Sequence, residues 1–160
     1  MIVLANDRSS EKGIQLLKEA DITVLDARVS AENLSKFINE NNVDVLLVRS
    51  ATQVRKNLID EWPNLKIIGR GGVGMDNIDV DYAIDKGIYI INTPKASCKS
   101  VAELVFAHFF SLARFLHESN RLMPLEGETK FNTLKKSFNN ATELSGKTLG
   151  VIGMGNIGLE

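Results

Sequence analysis

A chain of 160 residues with 44% hydrophobic and 24% charged residues has the composition of an ordinary globular protein with one sizeable core. Its 19 basic and 20 acidic residues nearly cancel, so the charge balance favours neither a nucleic-acid nor an acidic-membrane partner. The single cysteine, Cys98, excludes an internal disulfide and favours a reducing compartment, so the cytoplasm is the expected location.

Short β-branched runs alternate with helical patterns over the first part of the chain. Near-continuous apolar runs of this length are typical of strands buried on both faces of a parallel sheet. Repeated strand–helix–strand units predict a doubly wound, flavodoxin-like α/β sheet. The expected strands are Ile2–Ala5, Ile22–Ala27, Val43–Arg49, Leu65–Gly69 and Ile88–Asn92.

Polar caps and helix breakers predict helices between these strands. One of them ends before Pro63, because the residue that precedes a proline disfavours the helical conformation. The expected helices begin after Ser10, begin after Ser30 and end at Asn41–Asn42, span Val54–Glu61, and begin after Asp79 and end near Gly87.

The pattern changes in the second part of the chain. Ser100 and Glu103 have the spacing of a capping box and predict one long helix over residues 100–121. Apolar residues occupy nearly every face of this helix, so it is expected to be buried all round, within the chain or against a partner. The polar segment Met123–Glu143 is predicted to be an irregular arm, and Lys147–Ile152 is predicted to be a new strand.

Three glycines follow that predicted strand in G-x-G-x-x-G spacing: Gly153, Gly155 and Gly158. The first permits a tight turn, the second lets the backbone approach a pyrophosphate, and the third lets a following helix pack closely. The spacing therefore predicts the entrance to a dinucleotide site. The acidic residue that binds the ribose is expected about twenty positions further on, beyond residue 160.

Two arginines stand at predicted strand ends, where ligands bind in open α/β sheets. Arg49 and Ser50 end one strand, and Arg70 ends another and precedes the glycine-rich segment of residues 71–74. Backbone amides without side-chain bulk form a nest for an anion, and a neighbouring guanidinium adds charge-assisted contacts to a carboxylate or phosphate. We therefore predict a cleft that binds a small acid, with the amides of residues 71–74 converging on it.

At these residues the chain resembles the D-2-hydroxyacid dehydrogenases, and within them the phosphoglycerate branch. The matching stretches are VRSATQV, LKIIGRGGVGMDNIDVDYAIDKGI, INTPKASCKSVAELV and ELSGKTLGVIGMGNIG. The resemblance implies a two-domain, NAD-dependent enzyme that moves a hydride between the nicotinamide and a 2-hydroxy acid. For the phosphoglycerate branch it implies oxidation of 3-phosphoglycerate to 3-phosphohydroxypyruvate in serine biosynthesis.

The resemblance also implies a set of site residues. It places the family's catalytic arginine, glutamate and histidine beyond residue 160, so no catalytic residue is expected in this chain, and no metal site is expected. His108 and His117 are interpreted as core or interface residues. The implied substrate-binding residues are Arg49, Ser50, Arg70, Val73 and Gly74, and the implied cofactor-binding residues are Val73, Gly153, Gly155, Asn156, Ile157 and Gly158.

The resemblance further implies a domain organisation. Residues 1–97 are expected to form the substrate-binding domain without its C-terminal return segment, residues 98–144 the connecting helix and dimerisation arm, and residues 145–160 the start of a truncated Rossmann domain. We expect the chain to be an N-terminal portion that is inactive alone and does not hold NAD. We also expect a homodimer or a higher homo-oligomer, because an uncovered apolar helix favours association.

Alternative functions remain open at this stage. A flavodoxin-like receiver is disfavoured, because only Asp7 follows the first strand and Arg49 stands where a receiver needs an aspartate. A dehydrogenase for glycerate, lactate or glyoxylate-type substrates, or a corepressor-type relative that senses dinucleotide, also fits the sequence. The choice between NAD and NADP is not readable from these residues.

Overall fold

The computed structural model describes residues 1–160, which form two compact units, Met1–Ala96 and Ser97–Glu160. The first unit is a five-stranded parallel sheet with helices between the strands, so the predicted α/β class is confirmed. Its elements are β1 (Ile2–Ala5), α1 (Glu11–Glu19), β2 (Thr23–Leu25), α2 (Ala31–Glu40), β3 (Val45–Val48), α3 (Lys56–Asp60), β4 (Ile67–Arg70), α4 (Val80–Asp85) and β5 (Tyr89–Asn92).

The strand order is β2-β1-β3-β4-β5, with every neighbouring pair parallel. Leu4 pairs with Leu46, and Leu46 pairs with Ile68, so the fully buried core runs across the three central strands. The chain order reverses between β1 and β3, and such a switch point opens a crevice at the carboxyl ends of the strands.

The amino edge of the sheet is fastened by one carboxylate. Asp44 accepts a hydrogen bond from the Ile2 backbone N–H at 2.8 Å and from Lys66 Nζ at 2.6 Å. The hydrogen bond from Lys66 is the largest influence on the Asp44 carboxyl and holds its pKa below the ordinary 3.8. Asp44 therefore connects the starts of β1, β3 and β4 at the edge opposite the crevice.

The two predicted serine caps differ in detail. Ser10 caps α1, and its Oγ accepts a hydrogen bond from the Gly13 N–H at 3.1 Å. Ser30 holds the cap position of α2, but its Oγ accepts from Asn33 Nδ2 rather than from a backbone N–H. The positions of both caps follow from the sequence. Which donor bonds to each serine Oγ depends on the neighbouring side chains.

The prediction of one long helix in the second unit is wrong. The structure has α5 (Cys98–Ala113) and α6 (Leu116–Ser137), so α5 begins before the predicted Ser100 cap. The break lies at Phe115, which has a left-handed φ of 54° and stacks on the Phe138 ring at 5.9 Å between centroids. The break coincides with this long-range ring contact, which the apolar pattern of residues 100–121 does not reveal.

The polar segment after residue 122 is also helical, which corrects the prediction of an irregular arm. α6 runs through Pro124 and has one non-helical residue, Lys130, near its middle. Lys130 Nζ donates to Glu126 Oε2 at 2.9 Å one turn away. Lysine and glutamate are good helix formers without apolar periodicity, so the low amphipathicity of this segment was a poor guide to its backbone.

The predicted strand Lys147–Ile152 does not form. These residues make no ladder with another strand, and an unpaired strand leaves its N–H and C=O groups without regular partners.

Few residues of α5 are buried, although the sequence predicts a helix that is covered on every face. The Phe110 side chain is 52% exposed and the Leu112 side chain is 77% exposed. His108 is exposed as well, so the core interpretation of this histidine does not hold within the chain.

No helix of the structure is long and apolar enough to cross a membrane.

Candidate functional site

A cavity of about 490 Å³ opens at the carboxyl edge of the sheet. The chain segments after β1, β3, β4 and β5 all contribute to it, as expected for the switch point of a parallel sheet. The cavity is built within the first unit alone. Its lining residues are Asp7, Arg8, Ser9, Ser10, Gly13, Leu47, Val48, Arg49, Gly69, Arg70, Gly71, Ile91, Asn92 and Thr93.

The two arginines that the sequence singled out lie on this one cavity. Arg49 follows β3 and Arg70 ends β4, and these strands are direct neighbours. An atom at the Cβ position of Gly71 would lie 3.5 Å from Arg49 Cγ, so the glycine-rich segment passes beside Arg49. Neither guanidinium forms an ion pair with a carboxylate. Ser50 is exposed and lies outside the cavity lining.

The Arg70 guanidinium folds back over Gly72. A Cβ on Gly72 would collide with Arg70 Nη1, so this position needs a glycine as long as the arginine keeps its place. Arg70 Nε is buried and has no hydrogen-bond partner. An unpaired buried donor costs about 1–3 kcal/mol, which an acceptor oxygen of a ligand would recover.

The amides of residues 71–74 do not all converge on one anion, which corrects our expectation. The Gly71 N–H donates to the Val48 carbonyl at 2.8 Å, and the Gly72 N–H donates to the Arg70 carbonyl at 2.9 Å. These two amides are therefore engaged within the fold. The N–H groups of Val73 and Gly74 donate to no acceptor, and both residues are exposed.

Val73 is held from its other side, since its carbonyl accepts a hydrogen bond from Asn92 Nδ2 at 2.9 Å. Asn92 ends β5 and lines the cavity, so it links the turn of Val73 to the cavity wall. Val73 and Gly74 do not line the cavity themselves. The two free amides thus lie beside the cavity rather than at its floor.

Asp7, which the sequence pattern does not identify as a site residue, holds the loop that carries Arg49. Asp7 Oδ2 accepts hydrogen bonds from the Arg49 N–H at 2.8 Å and from the Thr52 N–H at 2.9 Å. Asp7 Oδ1 accepts from Thr52 Oγ1 at 2.6 Å. Burial alone raises the pKa of Asp7, but the hydrogen bonds from Thr52 and from the Arg49 backbone outweigh it and leave the pKa below 3.8.

Two buried asparagines complete this network. Asn77 Nδ2 donates to the carbonyls of Arg49 at 2.9 Å and Thr52 at 2.6 Å. Asn6 Nδ2 donates to Thr52 Oγ1 at 2.8 Å, and Asn6 Oδ1 accepts from the Val29 N–H at 2.8 Å. Buried side-chain amides of this kind specify one loop geometry because every lost partner is costly. The network fixes the backbone of the β3–α3 loop.

The glycine loop belongs to the second unit. Gly153 has a φ of 98°, a conformation that favours glycine, and a Cβ on Gly158 would collide with the Gly153 carbonyl oxygen. Nothing lies within 4 Å of a Cβ built on Gly155, so the loop backbone is accessible at its centre. These features fit close approach of a pyrophosphate, although the preceding strand is not formed and a turn, not a helix, follows.

Comparison with known proteins identifies the family. The model of "D-isomer specific 2-hydroxyacid dehydrogenase, catalytic domain" matches residues 2–153. The chain belongs to this family. The matched residues include the whole five-stranded sheet and every residue that lines the cavity at its carboxyl edge.

Individual relatives agree with this membership. The chain is 43% identical over 159 residues to a hydroxypyruvate reductase of Thermotoga maritima, covering 99% of this chain and 49% of the relative. It is 38% identical over 159 residues to D-3-phosphoglycerate dehydrogenase of Bacillus subtilis, covering 99% of this chain and 28% of the relative. The chain therefore spans about half or less of the length of these relatives.

Solved structures share the fold. NAD-dependent formate dehydrogenase from Staphylococcus aureus in complex with NAD superposes with a TM-score of 0.75 at 26% identity. The match covers 99% of this chain and 51% of that structure. Because the family match covers residues 2–153, the flavodoxin-like receiver is excluded as the family of this chain.

Proposed function

We propose that this chain is the acid-binding part of an oxidoreductase that oxidises a 2-hydroxy acid with a nicotinamide dinucleotide, and that the acid is 3-phosphoglycerate. The observation that carries this proposal is the cavity at the carboxyl edge of β3 and β4, where Arg49 and Arg70 lie without a carboxylate partner. Phosphoglycerate dehydrogenases among the relatives support the choice of substrate.

Different residues bind the two anionic groups of the acid. The free N–H groups of Val73 and Gly74 bind the carboxylate that every 2-hydroxy acid carries, as backbone amides in a turn do for anions. Arg49 and Arg70 supply charge-assisted hydrogen bonds to a second anionic group. Ser50 follows Arg49 directly and contributes a hydroxyl at the rim of the site. Binding at two ends fixes the carbon that bears the hydroxyl group.

The dinucleotide is proposed to bind at the glycine loop of the second unit. When bound, its nicotinamide would supply the acceptor for the hydride that leaves the carbon of the hydroxy acid. The backbone at the loop approaches the pyrophosphate because it lacks Cβ atoms. The proposed contacts in that loop are Gly153, Gly155, Asn156, Ile157 and Gly158.

Removal of the hydroxyl proton needs a positioned general base. The histidines of this chain, His108 and His117, are both in the second unit, are both exposed, and are assigned no such role. We therefore propose that the 160-residue chain alone binds the acid without oxidising it. Formation of NADH from 3-phosphoglycerate by the purified chain would contradict this proposal.

A second candidate is an enzyme for an unphosphorylated acid. The hydroxypyruvate reductase of Thermotoga maritima favours it, because that relative is 43% identical to this chain. NMR titration of the amides of Val73 and Gly74 with 3-phosphoglycerate and with D-glycerate separates the two candidates. We expect tighter binding of the phosphorylated acid, and Arg49→Ala weakens its binding by about tenfold through loss of a charged contact.

Equal losses for both acids in the Arg49 variant would favour the second candidate. A protein that senses dinucleotide without turnover differs from both enzymes in lacking activity. The two roles are distinguished with a longer protein that spans the full length of these relatives. NADH titration measures whether it binds dinucleotide, and an activity assay then measures whether it turns over.

We also propose that the chain forms a homodimer or a higher oligomer through its second unit. The exposed side chains of Phe106, Phe110 and Leu112 on α5 support this, because apolar surface of this extent favours association. Sedimentation velocity over a range of concentrations tests it. Phe110→Glu is expected to shift the distribution towards the monomer, and a wild-type chain that remains monomeric throughout would overturn the proposal.

A further inference from the structure

A third arginine lies on the acid-binding cavity and was not singled out from the sequence. Arg8 follows β1, which is the direct neighbour of β3 in the sheet, and lines the cavity together with Arg49 and Arg70. Its side chain is exposed and makes neither an ion pair nor a hydrogen bond. Arg8 is therefore available to a ligand in the cavity.

The backbone at Arg8 is held in an unusual conformation. Its φ of 50° lies in the left-handed region, where a long side chain is uncommon. Three other non-glycine residues have positive φ: Asp21 and Asn42 are of types that tolerate it, and Phe115 lies at the break between α5 and α6. Residues held in such regions persist when their surroundings determine them, and they cluster at ligand sites.

Contacts on both sides of Arg8 maintain this conformation. On one side, Asp7 is anchored by three hydrogen bonds from the β3–α3 loop. On the other side, Ser10 begins α1 and is fixed by its bond from the Gly13 N–H. The turn between these two anchors directs the chain past the cavity, and Arg8 occupies it.

The charges that line the cavity exceed what a single carboxylate requires. Three arginines and one aspartate are present, and both oxygens of Asp7 already accept hydrogen bonds from protein donors. A monocarboxylic acid offers one negative charge. A phosphate ester adds about −1.5 to −2 charges at neutral pH and three further acceptor oxygens, which match the additional guanidinium groups.

We propose that Arg8 is a specificity-determining residue that binds the phosphate group of a phosphorylated 2-hydroxy acid, together with Arg49. This inference rests on the proposed function and goes beyond it by adding a residue from β1 to the substrate contacts. Arg8 then discriminates between phosphorylated and unphosphorylated acids, while Val73 and Gly74 hold the carboxylate common to both.

The test compares ligand binding by variants of the 160-residue chain at low ionic strength. Dissociation constants for 3-phosphoglycerate and D-glycerate are measured by NMR titration for wild type, Arg8→Gln, Arg49→Gln and Arg28→Gln. Arg28 is the matched control, because it is exposed, forms no ion pair and does not line this cavity. We expect Arg8→Gln to weaken binding of 3-phosphoglycerate by about tenfold and that of D-glycerate by less than about twofold, with Arg28→Gln unchanged.

The possible results separate this inference from the proposed function. If Arg8→Gln binds 3-phosphoglycerate as tightly as wild type while Arg49→Gln binds it more weakly, the proposed acid site is supported and the role of Arg8 is wrong. If wild type binds neither acid, both fall. An Arg8→Gly variant adds a second test, because relief of the left-handed strain raises its thermal unfolding temperature while it loses affinity for 3-phosphoglycerate. Retained affinity in that variant would also overturn the assignment.

Discussion

Replacement of Asp7 by alanine tests whether one carboxylate holds the loop of Arg49. The substitution removes the acceptor for the N–H of Arg49, the N–H of Thr52 and Thr52 Oγ1, at 2.8, 2.9 and 2.6 Å. Hydrogen bonds to a charged group contribute about 1.5–3 kcal/mol each, and water at this half-buried position replaces part of the loss. We expect the free energy of unfolding to fall by about 3 kcal/mol.

Urea denaturation followed by tryptophan fluorescence measures this loss. The chain has one tryptophan, Trp62, which is buried in the first unit and donates from Nε1 to the Val43 carbonyl at 2.8 Å. Its emission therefore reports the unit that contains Asp7. Asp26→Ala is the matched control, because this aspartate is exposed and has no hydrogen bond or ion pair.

The pH dependence of the same measurement provides a second criterion. The pKa of Asp7 is lower in the folded chain than its ordinary value of 3.8, so its stabilising contribution is present above that value. The contribution disappears as the pH falls through the folded-state pKa, so the difference between wild type and Asp7→Ala narrows in acid. A loss no larger than that of Asp26→Ala, or one that persists unchanged in acid, would refute the assigned role.

Three further outcomes are expected. Asn77→Ala removes one buried and one partly buried hydrogen bond to the Arg49–Thr52 loop and lowers the free energy of unfolding by about 2 kcal/mol in the same urea assay. A cost under about 0.5 kcal/mol would contradict this. Asp44→Asn is destabilised at neutral pH, and because the folded-state pKa is depressed, its difference from wild type shrinks below pH 3.8 in acid titrations followed by circular dichroism. Gly72→Ala displaces the Arg70 guanidinium that lies over it and weakens the binding of 3-phosphoglycerate in NMR titrations. Unchanged affinity would show that the guanidinium is not needed in that place.

The sheet could be predicted from sequence because its information is local. β1 has the predicted bounds, since the run Ile2–Ala5 is apolar and ends at a polar residue. Other strands begin or end within two residues of their predicted bounds, as for Val45–Val48 within the expected Val43–Arg49. The arginines at strand ends could be located for the same reason, because the end of a buried strand fixes where its next residue lies.

The supporting network could not be predicted in this way. Asp7 and Thr52 are 45 positions apart, and Asn77 and Thr52 are 25 apart, so their hydrogen bonds depend on strand order rather than on local pattern. The break at Phe115 escaped prediction because it depends on a ring contact with Phe138. One signal was available for the network: polar Asn6 directly continues the apolar run of β1, which indicates a buried asparagine with fixed partners.

Stabilising contacts and the proposed binding residues lie at opposite ends of the strands, and this matters for engineering. Asp44 and Lys66 fasten the sheet at the amino end, while the residues proposed to bind an acid lie at the carboxyl ends of the strands and in the turns that follow them. If the proposed acid site is right, libraries randomised at Arg8 and Ser9 are expected to change acid preference with little loss of folded protein. Evolution of new substrate preferences has the same route open to it, because changes in these turns leave the buried strands untouched.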